Sequence, residues 1–200
     1  MELKYSQLSP YVRKVTVVAH ELGIVDRLRL TKVDTRGAPE AVTPFNPLGK
    51  IPVLVTDGGD VIYDSPVICE YLASEFRGER LLPPSGPARW RVLTGVAMAD
   101  GLVDAAILVR HERARVAERQ SQEWIDWQVR KIAQTLDELE RLAPSFAPAP
   151  DLAQIAAGCA LGYIPLRLTE FAGWPKWPAL HAWAERIAQR PSFAATAPVL

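Results

Sequence analysis

The sequence predicts an α+β fold in two parts: a small domain mixing strands and helices over residues 1–78, then an all-α helical domain over residues 86–200. Three observations carry this expectation. Strand and helix signals alternate through the first 76 residues, a Pro/Gly-rich segment follows, and from Ala88 onward no strand rhythm recurs. A chain of 200 residues can hold one or two domains of ordinary size. Its 48% hydrophobic and 23% charged content suits a packed globular core and excludes disorder or collagen-like repetition.

Leu3–Ser6 reads as a short opening strand. Ser9-Pro10 then starts a helix to about Leu22, closed by Gly23. Asp26–Lys32 alternates apolar and polar residues, a strand rhythm, and a short helix is suggested around Pro39–Phe45. Val53–Thr56 and Val61–Tyr63 flank Asp57-Gly58-Gly59-Asp60, a hairpin turn signal. Ser65-Pro66 opens a second helix through about Phe76, so the predicted order is β-α-β-α-β-β-α.

Residues 77–87 (RGERLLPPSGP) mark a linker. One helix is expected from about Pro87 to Arg119 and another over about Gln122–Leu142. In the latter Ile125, Val129, Ile132, Leu136 and Leu139 form a one-sided stripe. Asp151 with Gln154 makes a capping-box pattern at the start of a third helix, and Pro178–Gln189 is a fourth. The stretch Val92–Val109 carries only two charges, Asp100 and Asp104, which share a helix face at i,i+4. Like charges so placed repel unless paired or wet, so that face is expected to meet solvent, a polar cleft or a basic partner. The stretch reads as a buried helix more than a membrane span.

Charge narrows the function. With 23 basic and 23 acidic side chains the chain has no basic footprint for a nucleic acid. Cys69 and Cys159 sit far apart inside apolar helical patterns and outside any CxxC pair. Buried thiols in a reducing, cytoplasmic compartment are the expectation, and the three scattered histidines show no metal spacing, so no metal site is predicted. The N-terminus shows no signal-peptide pattern.

The informative motif is a repeated dipeptide. Ser9-Pro10 and Ser65-Pro66 each place serine at an expected N-cap and proline at the first helical position. Each serine can simply cap its helix. Each helix start also presents free N–H groups and a positive dipole end, suited to an anion or a thiolate. Between them lies Asn46-Pro47-Leu48-Gly49-Lys50-Ile51-Pro52-Val53-Leu54. Pro52 suits a strand start, and a cis Ile51–Pro52 bond would turn the Ile51 N–H and C=O outward, where a peptide-like ligand can pair with them.

SPYVRK, NPLGKIPVL and YDSPVICEYL, followed by a helical half with DLAQIAAGCALGY and WPALHAWAERIAQRPSF, resemble a cytosolic glutathione S-transferase. The likeness is to the bacterial glutathione transferase-like branch with serine in the first motif, and it covers nearly the whole chain. It implies a thioredoxin-like N-terminal domain, an all-helical C-terminal domain, a homodimer, glutathione as co-substrate and a small electrophile in the cleft. It assigns Ser9 the catalytic position, its hydroxyl facing the glutathione sulfur. Ile51 would pair its backbone with the cysteinyl part, while Asp64 and Ser65 would hold the γ-glutamyl end. Asp100 corresponds to an acid that reaches glutathione across a dimer, and Lys50 is the nearest cation for the glycyl carboxylate. Arg13, one turn after Ser9, can raise the local potential or pair with an acid of the second domain. The implied activity is attack of an activated glutathione thiolate on a small hydrophobic electrophile. The alternatives are glutathione-dependent peroxidase or reductase chemistry, and a non-catalytic ligand-binding role on the same fold. A dimer interface is expected on the helices flanking the linker, where the uncharged stretch leaves apolar surface to cover.

Overall fold

A computed structural model describes residues 1–171 and 176–198. Trp174, one of the six tryptophans, lies outside the described residues. The chain forms two compact units. The first is Met1–Val92 together with the C-terminal segment from Pro191, and the second is Leu93–Arg190. The compact units divide inside a long helix, past the Pro/Gly-rich segment at residues 77–87.

The first unit is a four-stranded sheet with helices, the thioredoxin-like arrangement. Strands β1 (Glu2–Tyr5), β2 (Arg29–Lys32), β3 (Val53–Val55) and β4 (Val61–Ile62) lie in the order β2-β1-β3-β4. β1 runs parallel to β2 and antiparallel to β3, and β3 runs antiparallel to β4. α1 (Pro10–Glu21) connects β1 to β2, and α2 (Ser65–Glu75) follows β4. The two helices pack against each other, and their inner residues Val15, Val18, Ile68 and Leu72 are buried with Leu3 and Leu54 of the sheet.

Alternation along β1 puts Leu3 in that core and Lys4 on the opposite side. Lys4 stays buried because its ammonium lies 4.0 Å from the centre of the Phe45 ring and 3.3 Å from the Glu2 carboxylate. Val33, Val42 and Val53 form a second apolar cluster, with Phe45, Ile51 and Tyr63 against it.

Two expectations change here. The strand expected over Asp26–Lys32 begins at Arg29, because Val25–Arg27 is a 3-10 turn closed by the Leu28 N–H on the Val25 carbonyl. Alternation over so few residues does not separate a turn from a strand. The helix suggested around Pro39–Phe45 is a single 3-10 turn, Pro39–Ala41.

A short terminal helix, α7 (Pro191–Ala194), packs on α1. The Ser192 hydroxyl donates to Glu21 at 2.6 Å, and Arg80 meets the same carboxylate at 3.1 Å. Arg13 donates to the Phe193 carbonyl at 3.1 Å and lies over its ring. The pairing with an acid expected for Arg13 is not found among the described residues, and its contacts run to α7.

The second unit is helical. It comprises most of α3 (Gly86–Arg113), with α4 (Gln122–Leu142), α5 (Leu152–Arg167) and α6 (Pro178–Ala188). α3 stops six residues before the expected Arg119, and Ala117–Arg119 is a separate 3-10 turn. The Gln120 side-chain amide donates to the carbonyls of Arg113 and Arg115, groups that a longer helix would have used internally. The Glu112 carboxylate takes the Ser121 N–H and then Arg115, which together hold it below the usual carboxylate range.

α4 keeps its expected bounds, but Gln128 occupies the buried stripe where Val129 was expected, and Val129 is half-buried. α5 begins with the full capping box: Gln154 N–H on Asp151 Oδ1 at 2.9 Å, and the Asp151 N–H on Gln154 Oε1 at 3.0 Å. α6 takes its cap from another helix, with Glu140 accepting the Ala179 and Leu180 N–H groups. α3 is long and apolar enough to cross a membrane by length and composition alone, and 44% of its apolar window is buried within the protein.

Candidate functional site at one end of the sheet

Strand register gathers the candidate residues of the first unit. Lys4 pairs with Val53 and Leu54 with Ile62, so the end of β1, the start of β3 and the end of β4 lie together. The segments leaving that end carry Ser9, Lys50 with Ile51, and Asp64 with Ser65. Because α1 and α2 start there, two helix N-termini, with their unsatisfied N–H groups, face the same region. Asp100, the remaining candidate, is half-buried in α3 within the second unit.

Ser9 is the N-cap of α1, in extended conformation, and its Oγ accepts the Val12 N–H at 3.3 Å. A hydroxyl that accepts from its helix still has its own proton to donate. Ser9 therefore offers a neutral donor beside the positive end of α1, a combination that favours a thiolate over a thiol.

At α2 the N-cap is Asp64, not Ser65. Ser65 is the first helical residue and Pro66 the second, one position later than expected. The Tyr63–Asp64 peptide is cis, a geometry that no residue pattern there signals. Asp64 is exposed and its side chain accepts no capping bond from the helix. Ser65 is only 2% exposed, and among the described residues its hydroxyl makes no hydrogen bond. An anion at this terminus would meet that hydroxyl together with the first free N–H groups of α2.

The Ile51–Pro52 peptide is cis, as the reading of that proline allowed. Among the described residues neither the N–H nor the C=O of Ile51 is hydrogen-bonded, so a donor and an acceptor stand open just before β3. Lys50 is exposed at the end of the preceding loop. Asn46, the first residue of that loop, is 1% exposed and turns its side chain back into it. An Asn-Pro pair marks a turn in sequence but does not show where the side-chain amide will reach.

Among the described residues no three of His, Cys, Asp or Glu come close enough to hold a metal ion. Cys69 lies in α2 and Cys159 in α5, both buried, and neither is at the start of α1.

The profile of the glutathione S-transferase N-terminal domain matches residues 8–75, a span that holds Ser9, Lys50, Ile51, Asp64 and Ser65. Along 99% of its length the chain is 37% identical to the uncharacterized GST-like protein YibF of Escherichia coli K12, covering 98% of that protein. The crystal structure of a glutathione transferase family member from Pseudomonas fluorescens Pf-5, with bound glutathione, is 42% identical. It superposes with a TM-score of 0.92 over 100% of this chain and 99% of that one. A glutathione S-transferase from Methylobacillus flagellatus KT, also crystallised with glutathione, is 37% identical at a TM-score of 0.88, with 99% of each chain covered.

Proposed function

The chain belongs to the glutathione S-transferase family, and from that premise we propose that it binds glutathione at the sheet end described above and activates the thiol for attack on a small hydrophobic electrophile. One observation carries the reading. A hydroxyl with a proton to give, an open peptide donor–acceptor pair and a second, unbonded hydroxyl at a helix start all emerge at the same end of one sheet. The glutathione held by the Pseudomonas and Methylobacillus proteins supports it.

Ile51 takes the cysteinyl segment of glutathione as an added strand, N–H to carbonyl and C=O to N–H. Ser65 and the α2 terminus take the γ-glutamyl carboxylate, Asp64 takes its ammonium, and Lys50 takes the glycyl carboxylate. Ser9 donates to the sulfur. An ordinary cysteine thiol has a pKa of about 8.5, and lowering it by one unit corresponds to about 1.4 kcal/mol, within reach of one charge-assisted hydrogen bond. Ser9 supports placing the chain in the branch with serine in the first motif. Residues 1–78 act as the glutathione-binding domain, and the helices of 86–200 bear the electrophile's surroundings. Thiol–disulfide exchange through the protein is disfavoured, since serine stands where that chemistry needs a cysteine thiolate.

A homodimer completes the proposal. Leu48, Val67 and Trp90 of the first unit are 66%, 50% and 64% exposed, apolar surface that a second copy would cover. Light scattering is expected to give about twice the 22.1 kDa chain mass, and Asp100→Ala to weaken glutathione binding from the partner side.

Calorimetry with glutathione, then conjugation assays with a panel of aryl halides in the reducing, cytoplasm-like buffer this role implies, test the reading. Binding with conjugation that falls on Ser9→Ala is the expected result. Binding without turnover of any electrophile would leave a ligand-binding protein of the same fold. No binding at millimolar glutathione overturns the proposal altogether.

A further inference from the structure

We propose that Asn46 is the positioning residue of the site: its side chain fixes the Lys50–Ile51 peptide plane and so aims the Ile51 N–H at the ligand. The inference rests on the glutathione reading above and adds to it a residue that touches no ligand.

The loop from Asn46 to Lys50 is tied by one buried side chain. Asn46 Nδ2 donates to the Lys50 carbonyl at 2.9 Å, and Asn46 Oδ1 accepts the Leu48 N–H at 3.0 Å. The Asn46 carbonyl takes the Gly49 N–H at 2.9 Å, and its own N–H is held by the Val42 carbonyl at 2.9 Å. The two side-chain bonds need one end of the amide to donate and the other to accept, so only asparagine or a close mimic satisfies both. Gly49 closes the loop at a φ of +62°, in the left-handed region that favours glycine.

The consequence lies in peptide geometry. In a planar trans peptide the C=O and the following N–H point in opposite directions. The Lys50–Ile51 peptide is trans. Its C=O points at Asn46, whose side chain is buried, so its N–H must point away from it. That N–H is the Ile51 donor, and it makes no hydrogen bond among the described residues. Without the Asn46 donor the plane can rotate, and a hydrogen bond to a ligand would first need that rotation to be reversed.

The test uses two ligands. Glutathione has a cysteinyl carbonyl to accept the Ile51 N–H; γ-glutamylcysteamine keeps the γ-glutamyl group and the thiol but lacks that carbonyl. Asn46→Asp keeps the acceptor for Leu48 and loses the donor to Lys50. It is expected to weaken glutathione binding about tenfold, the value of one hydrogen bond, and γ-glutamylcysteamine binding less than about twofold. Equal losses for both ligands would make Asn46 a merely structural residue, and no loss for either would make it irrelevant; each overturns the inference.

If the variant does not fold, amide hydrogen exchange on the unaltered protein decides. The Ile51 amide should exchange freely without ligand, be protected by glutathione and remain unprotected with γ-glutamylcysteamine. Protection in the absence of ligand, or equal protection by both ligands, overturns the inference. A wild-type protein that binds neither ligand overturns the glutathione reading itself and takes the ligand role of Asn46 with it, an outcome distinct from equal losses in the variant.

Discussion

At the start of α1, Ser9 stands just outside the helix and lends its oxygen to the Val12 N–H; at the start of α2 that place belongs to Asp64, and Ser65 is already helical with its hydroxyl unbonded among the described residues. The dipeptide is the same and lies in the same unit, yet its register against the helix differs by one residue. At α1 the serine oxygen contributes to folding, and its proton is left for chemistry. At α2 the serine hydroxyl is left without a partner among the described residues, open to water or to a ligand. The first site is stabilised by the fold, and the second is suited to stabilisation by a ligand.

The strongest test of this contrast is Ser65→Ala. Because the hydroxyl bonds to nothing in the described protein, its removal should leave the melting temperature unchanged or slightly raised. Glutathione affinity, measured by calorimetry, should fall about 10- to 100-fold, the range for a hydrogen bond to a charged carboxylate. A variant that melts lower while binding glutathione normally would show that Ser65 serves the fold and would remove the contrast.

Ser9→Ala should do both kinds of damage at once. Loss of the N-cap should lower stability by about 1 kcal/mol in urea unfolding. Loss of the donor should raise the pKa of bound glutathione by about one unit, seen as about a tenfold drop in thiolate absorbance and conjugation rate near neutral pH. Ser9→Thr keeps a capping hydroxyl and should recover most of the stability. A calibration comes from the other unit, where Asp151→Ala breaks a complete capping box. It should also cost about 1 kcal/mol of stability, with glutathione affinity unchanged.

The same contrast marks the limit of what the residues alone convey. Both Ser-Pro pairs are readable as helix starts because serine, then proline, fits the first turn and little else. Which residue caps is not readable, because it depends on the backbone arriving from β4 through Tyr63 and Asp64. α4 is legible at both ends because Ser121 caps it and its apolar stripe is regular, although Gln128 in that stripe was not foreseen. The end of α3 falls earlier than its periodicity suggests because Gln120 reaches back to the Arg113 and Arg115 carbonyls and Glu112 reaches forward to the Ser121 N–H, which no helix periodicity encodes. The candidate site was legible where motif residues present their own side chain or backbone, as Ser9, Ile51 and Ser65 do. It was not legible where one residue acts through another, as Asn46 does through Lys50.

The smallest expected effect belongs to Asp64, and it sharpens the contrast most. Asp64 holds the N-cap position of α2 yet accepts no capping bond, unlike Ser9 and Asp151. Asp64→Ala should therefore change stability by less than about 0.5 kcal/mol, the ordinary range for an exposed surface substitution. An exposed carboxylate facing a ligand ammonium is worth about 0.2–1 kcal/mol, so glutathione affinity should drop roughly 1.5- to 5-fold. Charge pairs in solvent weaken as the Debye length shortens, so the difference between wild type and variant should shrink between about 0.01 and 1 M salt. A stability loss equal to that of Asp151→Ala would mean that Asp64 caps α2 in solution, leaving the two helix starts alike. An affinity loss that persists undiminished at high salt would instead place the ammonium in a site closed to solvent, with Asp64 and Ser65 gripping the γ-glutamyl end together.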